Sequence, residues 1–191
     1  MTGAAISTPR PGLARRRALA GLAGLAGLAA VAGSRLTLAQ AQPVAQGESL
    51  APPPPQVGSL LALPDMVLLD GSRFRAAEAD GQVLLLYWWA SWCPFCAEQT
   101  PWMEKLWQAE RGRGLRMLGL SIDRSADDAG NYLRKKGYTF PAGLVTPAVA
   151  RILPKPKGLP VTVVRGRHGR VLTAQVGQLF PEDVEQLARF V

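Results

Sequence analysis

The sequence predicts an α/β domain, a central mixed β-sheet flanked by helices, placed after an N-terminal extension. Three observations predict it. Val83–Trp89 and Arg116–Ile122 are near-continuous apolar runs, the pattern of strands buried on both faces. A helical stretch from Pro94 to about Arg111 lies between them. Towards the C-terminus, Val161–Val164 and Val171–Val176 flank Gly166–Gly169, which reads as a hairpin turn.

The elements follow in order. Met66–Leu69 is a short apolar stretch closed by the turn signal Asp70-Gly71. After Val83–Trp89 the helix opens with Pro94, whose missing N–H needed no partner in a first turn. Pro101 falls inside that helix and should kink it. The strand Arg116–Ile122 is followed by a polar helix, Ala126–Lys136, stopped by Gly137. Pro147–Leu153 suits a short helix. The last helix starts at Pro181, carries Glu182 and Asp183 in its first turn, and spaces Val184, Leu187, Ala188 and Val191 on one face. The order is β-α-β-α-β-β-α, with no internal repeat, and residues 57–191 are enough for one compact domain.

The N-terminal 41 residues hold five arginines and no acid. Arg15-Arg16-Arg17 precede an Ala/Leu/Gly/Val run, Ala18–Ala32, that is short for a membrane span, and Ala39-Gln40-Ala41 is a small-x-small cleavage site. Residues 1–41 therefore read as a secretory signal, of the Sec or the twin-arginine type, with an uncleaved membrane anchor as the third alternative. Gln42–Gln56, with the polyproline run Pro52–Pro55, is expected to be a disordered linker. The whole chain carries 22 basic and 14 acidic residues, net +8. With the five signal arginines set aside, 17 basic residues face the same 14 acids, net +3, so the basicity is largely a targeting feature and gives no ground for nucleic-acid binding.

The chain has two cysteines, Cys93 and Cys96, directly after the most apolar strand. Two intervening residues let both sulfurs meet across the first turn of a helix, so a small ring can close and open with little backbone movement. At the helix start, unpaired N–H groups and the positive dipole end favour a thiolate on Cys93, the attacking form. Cys96, one turn further in, is the buried resolving thiol. A structural zinc site needs four ligands, and the chain has no third cysteine and one histidine, His168, in the expected hairpin turn. No metal site is expected. A static disulfide closing so small a ring would stabilise little. An oxidising compartment permits disulfides, and a single CxxC there suits handling those of other proteins.

The stretch LLLYWWASWCPFCAEQTPWMEKL resembles the active-site strand and helix of thioredoxin-like proteins, and is most similar to the exported TlpA/ResA type with its W-A-S-W-C-x-x-C pattern. Pro101 stands five residues after Cys96, where that family's helix kinks; Gly158-Leu159-Pro160-Val161-Thr162 resembles the cis-proline loop facing the disulfide; Gly166–Val171 resembles the hairpin after it. The resemblance implies a thioredoxin-like fold over residues 57–191 and an enzyme, a thiol–disulfide oxidoreductase. It implies Cys93 as nucleophile, Cys96 as resolving thiol and Pro160 as the cis-proline. Trp92, Pro94, Phe95 and the backbone of Leu159 would shape the client site. No cofactor is implied beyond a redox-active Cys93–Cys96 disulfide. The family's chemistry further implies a periplasmic reductase of protein cysteines, of the apocytochrome c or metal-site type, recharged by a membrane thiol-electron carrier of the DsbD/CcdA kind.

Two departures stand against the pattern. Tyr87 occupies the place of the buried acid of many thioredoxins, and Gln99, with Glu98 beside it, stands where ResA-type proteins often have Glu. Glu98 and Gln99 are thus the candidate proton-relay residues, although an amide accepts no proton as a carboxylate does. The alternatives are a disulfide oxidase or isomerase using the same site, a Cu(I) or assembly chaperone using the thiols as ligands, and a thiol peroxidase. Against the last, Ala90 replaces the Thr expected three residues before the attacking cysteine.

Overall fold

A computed structural model of the chain describes residues 50–191; the signal reading of residues 1–41, and the linker up to residue 49, lie outside the described residues. Seven strands are described: β1 (Met66–Val67), β2 (Arg73–Phe74), β3 (Val83–Trp89), β4 (Leu115–Ser121), β5 (Ala142–Leu144), β6 (Val161–Arg165) and β7 (Val171–Val176). Four α-helices join them: α1 (Pro94–Glu110), α2 (Ala126–Lys136), α3 (Pro147–Ile152) and α4 (Pro181–Gln186). The main sheet has the order β5-β4-β3-β6-β7, with β3 parallel to β4 and antiparallel to β6. This is the mixed sheet expected from the sequence.

The central strand explains its own composition. Every residue of Val83–Trp89 is buried. Val83, Leu85, Tyr87 and Trp89 belong to one apolar cluster, together with Met103 and Leu106 of α1, Leu133 of α2 and Val184 of α4. Leu84, Leu86 and Trp88 belong to a second, with Val149 of α3 and with Met66 and Ala79 from the N-terminal segment. Both faces of the strand are covered, so the run has no polar alternation.

Local signals set most boundaries. Gly137 ends α2 in the left-handed region at φ 71°, and its N–H donates to the carbonyls of Arg134 and Leu133. Ser125 caps the start of the same helix, accepting the N–H of Asp128. Inside α1, the Pro101 ring denies the Ala97 carbonyl its usual N–H partner.

Three features depart from the sequence reading. The Met66–Leu69 stretch pairs as Met66–Val67 with an unforeseen strand, Arg73–Phe74. The edge strand Ala142–Leu144 was likewise not expected; it holds Gly143, where a Cβ would stand 2.4 Å from the Met66 side chain and 3.0 Å from the Val67 carbonyl oxygen. The linker expected to be disordered as far as Gln56 is, from residue 50, held on the domain. Pro52 O accepts the N–H of Lys157 at 2.9 Å, and Gln56 O accepts both the N–H and the hydroxyl of Ser59. Carbonyls of a Pro-rich segment remain acceptors even though its prolines donate nothing.

Candidate active site

The chain leaves β3 through a tight turn, Ala90–Cys93, closed by the Cys93 N–H donating to the Ala90 carbonyl at 3.2 Å. Cys93 then caps α1 from extended backbone, φ −82° and ψ 116°, and Pro94 opens the helix. The N–H of Cys96 donates to Cys93 Sγ at 3.3 Å. The Cys93 sulfur thus accepts one of the helix's otherwise unpaired amides, a contact that strengthens with negative charge on sulfur. Both cysteines are free thiols; Cys93 is 4% exposed and Cys96 1%. Burial pushes the Cys96 thiol well above its ordinary range, and its hydrogen bond with Cys93 and the nearby charges of Cys93 and Asp123 act in the same direction.

The surface around the sulfurs is apolar. Trp92 is 64% exposed and Phe95 56%. Pro94 is also exposed. The Leu159–Pro160 peptide is cis, and the Pro160 carbonyl accepts the N–H of Gly177 at 2.8 Å. Leu159 packs on the cluster that contains both cysteines.

Below the helix, the Tyr87 hydroxyl lies 3.0 Å from Thr100 Oγ1, and the Thr100 hydroxyl donates to the Cys96 carbonyl. Burial, with the charge on Cys96 next in weight, raises the Tyr87 phenol well above its usual value, so a neutral hydroxyl occupies the place of an acid.

The two relay candidates do not face the sulfurs. Glu98 accepts from Gln178 Nε2 at 2.7 Å on an exposed face. Gln99 is fully buried; its Nε2 donates to Thr162 Oγ1 at 3.0 Å and its Oε1 accepts the N–H of Leu179 at 2.7 Å. Both residues join α1 to the segment after β7, and the bonds described for them run to Gln178, Thr162 and Leu179 rather than to a sulfur.

Sequence reasoning missed Asp123, which lies just past β4 and is 7% exposed. Its carboxylate accepts the N–H of Ser91 at 3.1 Å and the Ser91 hydroxyl at 2.7 Å, within the turn that delivers Trp92 and Cys93. The signal available was a lone acid ending an apolar strand, and nothing local ties it to a turn 32 residues earlier.

A strand, a tight turn, and a helix capped by one thiol with a second buried beneath it, beside a cis-proline, define a thioredoxin-like thiol–disulfide oxidoreductase. Comparisons with known proteins agree. Residues 61–144 match the family model described as the AhpC/TSA family. Proteins named thiol-disulfide oxidoreductase ResA align with the chain: that of Geobacillus thermodenitrificans at 27% identity over 128 residues, covering 64% of this chain and 72% of that protein. The ResA of Halalkalibacterium halodurans is 24% identical over 127 residues, covering 64% and 70%. Among solved structures, a thiol:disulfide interchange protein of the thioredoxin family from Chlorobium tepidum superposes with a TM-score of 0.64 at 22% identity, covering 70% of this chain and 96% of that one. A protein described as a putative thiol:disulfide interchange protein DsbE, from the same organism, gives 0.59 at 27% identity over 71% and 94%. The chain is thus similar to thioredoxin-like proteins of the ResA/DsbE type, and it is a thiol–disulfide oxidoreductase.

Proposed function

We propose that the protein is a periplasmic reductase of specific protein cysteines, exported by residues 1–41 and cleaved after Ala41. The observation that carries the reading is the dithiol at the start of α1, where Cys93 Sγ accepts the Cys96 N–H beside the cis Leu159–Pro160 peptide. Similarity to the ResA-named proteins supports the same reading.

The cycle balances in two electrons. Cys93 attacks a client disulfide, forming a Cys93–client mixed disulfide and releasing one client thiolate. Cys96 attacks Cys93 Sγ, its proton passing to the departing client sulfur, which leaves as the second client thiol, and the Cys93–Cys96 disulfide remains. Trp92, Phe95 and Leu159 offer the apolar surface that a client segment crosses. A membrane thiol-electron carrier of the DsbD/CcdA kind returns two electrons, and the clients are apocytochrome c or metal-site cysteines.

The test is the couple's potential together with a trap. Equilibration with glutathione should give a value nearer the roughly −270 mV of a reductant than the roughly −120 mV of an oxidant. In the periplasm, Cys96→Ser should accumulate mixed disulfides on Cys93 with the named clients. A couple near the oxidant value would reverse the direction and leave an oxidase with the same site.

A further inference from the structure

The turn that delivers the nucleophile is held from outside by a carboxylate that the exchange steps do not use. Asp123 Oδ1 accepts the Ser91 hydroxyl at 2.7 Å and Oδ2 accepts the Ser121 hydroxyl at 2.7 Å, while both oxygens share the Ser91 N–H at 3.2 and 3.1 Å. The Asp123 N–H donates back to Ser121 Oγ at 3.0 Å. At the strand ends, the Ile122 N–H donates to the Trp89 carbonyl at 3.0 Å. Asp123 lines an open cleft of about 630 Å³ together with Ser91, Trp92, Asn131 and Tyr132. Ser91 is the second residue of the turn that Cys93 closes.

We propose that Asp123 is a positioning residue of the dithiol site, which fixes the Ala90–Cys93 turn through Ser91 and whose negative charge biases the couple towards the disulfide. The bias follows from Coulomb's law. A fixed negative charge near the sulfurs disfavours any state holding a thiolate and leaves the neutral disulfide unaffected, so the dithiol is a stronger electron donor. The direction agrees with the raised Cys96 thiol, to which Asp123 contributes after burial and the Cys93 bond. The other ionisable groups acting on the sulfurs are Tyr87 on β3 and Tyr132 on α2, whose phenols are raised by burial first and remain neutral hydroxyls. On α1, Glu98 is turned to Gln178; across the cleft, Asp128 accepts the Ser125 hydroxyl, and Arg124 borders the opening.

The inference rests on the Cys93–Cys96 couple cycling, and the experiment separates the two. Wild type, Asp123→Asn and Ser91→Ala are equilibrated with glutathione, and the pH midpoint of iodoacetamide labelling at Cys93 is recorded for each. Asp123→Asn keeps an acceptor for Ser91 and loses the charge; its equilibrium should move towards the dithiol by about threefold to tenfold, the upper figure being about 30 mV, and its labelling midpoint should fall. Ser91→Ala keeps the charge and one anchoring bond; its melting temperature should drop while potential and midpoint stay at the wild-type values. A folded Asp123→Asn with unchanged potential and midpoint would overturn the inference. So would loss of folding in both Asp123→Asn and Asp123→Ser while Ser91→Ala folds, since Asp123 would then be a structural brace alone. A wild type that does not exchange with glutathione at all would instead overturn the oxidoreductase reading.

Discussion

Gln99 Nε2 donates to Thr162 Oγ1 over 3.0 Å, joining the active-site helix to the strand that follows the cis-proline. The same side chain accepts the Leu179 N–H at 2.7 Å. One buried amide therefore ties together the CxxC helix, the strand after Pro160 and the segment before α4. An amide suits this role because it offers a donor and an acceptor at one end, whereas a carboxylate would have to stay protonated to do both.

Replacing Gln99 by Ala should destabilise the fold by roughly 2–4 kcal/mol, from a buried cavity and two orphaned polar groups. Urea unfolding measures it. Cys93 labelling at neutral pH should change little, because Gln99 makes no contact with sulfur; a large change in that rate with stability intact would reinstate a relay role.

The thiols should differ in reactivity. Because burial, its bond with Cys93, and nearby charge all raise the Cys96 thiol, it stays protonated through neutral pH. In the reduced protein, iodoacetamide should label Cys93 first, as read by mass spectrometry of peptides. In Cys93→Ser, labelling of Cys96 should be at least about tenfold slower at pH 7 and rise only in strongly alkaline solution, since the thiolate is the reacting form. Fast labelling of Cys96 at neutral pH would contradict the burial argument.

Gly158 precedes Leu159 and Pro160 with φ +86°, and a Cβ there would lie 2.9 Å from Val176 Cγ1. Left-handed backbone costs a residue with Cβ about 1–2 kcal/mol before that clash is added. Gly158→Ala should therefore lower the melting temperature and slow insulin reduction several-fold. Cys93 labelling by a small reagent should persist, because the helix cap is untouched. Equal losses in both assays would mean the substitution disturbs the helix rather than the cis-proline loop alone.

What the sequence made legible is what local chemistry encodes. Val83–Trp89 declares itself because both its faces are covered, and Pro94 and Gly137 mark helix ends through groups within a few residues. The cysteine pair is local in the same sense. Ala142–Leu144 is not: it is a strand because Gly119–Ser121 pairs with it and Met66 crosses Gly143, and no propensity in those three residues announces this. Glu98 and Gln99 are relay candidates only through the resemblance, which often has Glu at that place; the helix turns the two to different partners, Gln178 and Thr162, which no local signal announces. Asp123 reaches Ser91 only once β3 and β4 lie side by side.

Glu104 gives the fold a dependence on pH. Its carboxylate accepts the Thr139 N–H at 2.8 Å, the Thr139 hydroxyl at 2.8 Å, the Phe140 N–H at 3.2 Å and Gln108 Nε2 at 2.7 Å. These bonds hold α1 to the segment entering β5, where Phe140 meets Tyr87 and Trp89 edge-on, each at 6.4 Å. Partial burial pushes the Glu104 carboxyl up, but the bonds from Gln108, Thr139 and Phe140 outweigh it and leave the group below its ordinary value. A lowered folded value means a contribution fully present above the unfolded carboxylate's pKa of about 4.3 and lost as pH falls through the lower folded one. Wild type should therefore exceed Glu104→Gln in urea stability at pH 7, and the gap should shrink below about pH 4. A gap of constant size from pH 7 to pH 3 would show that the carboxylate's charge contributes nothing and that Glu104 acts only through its shape.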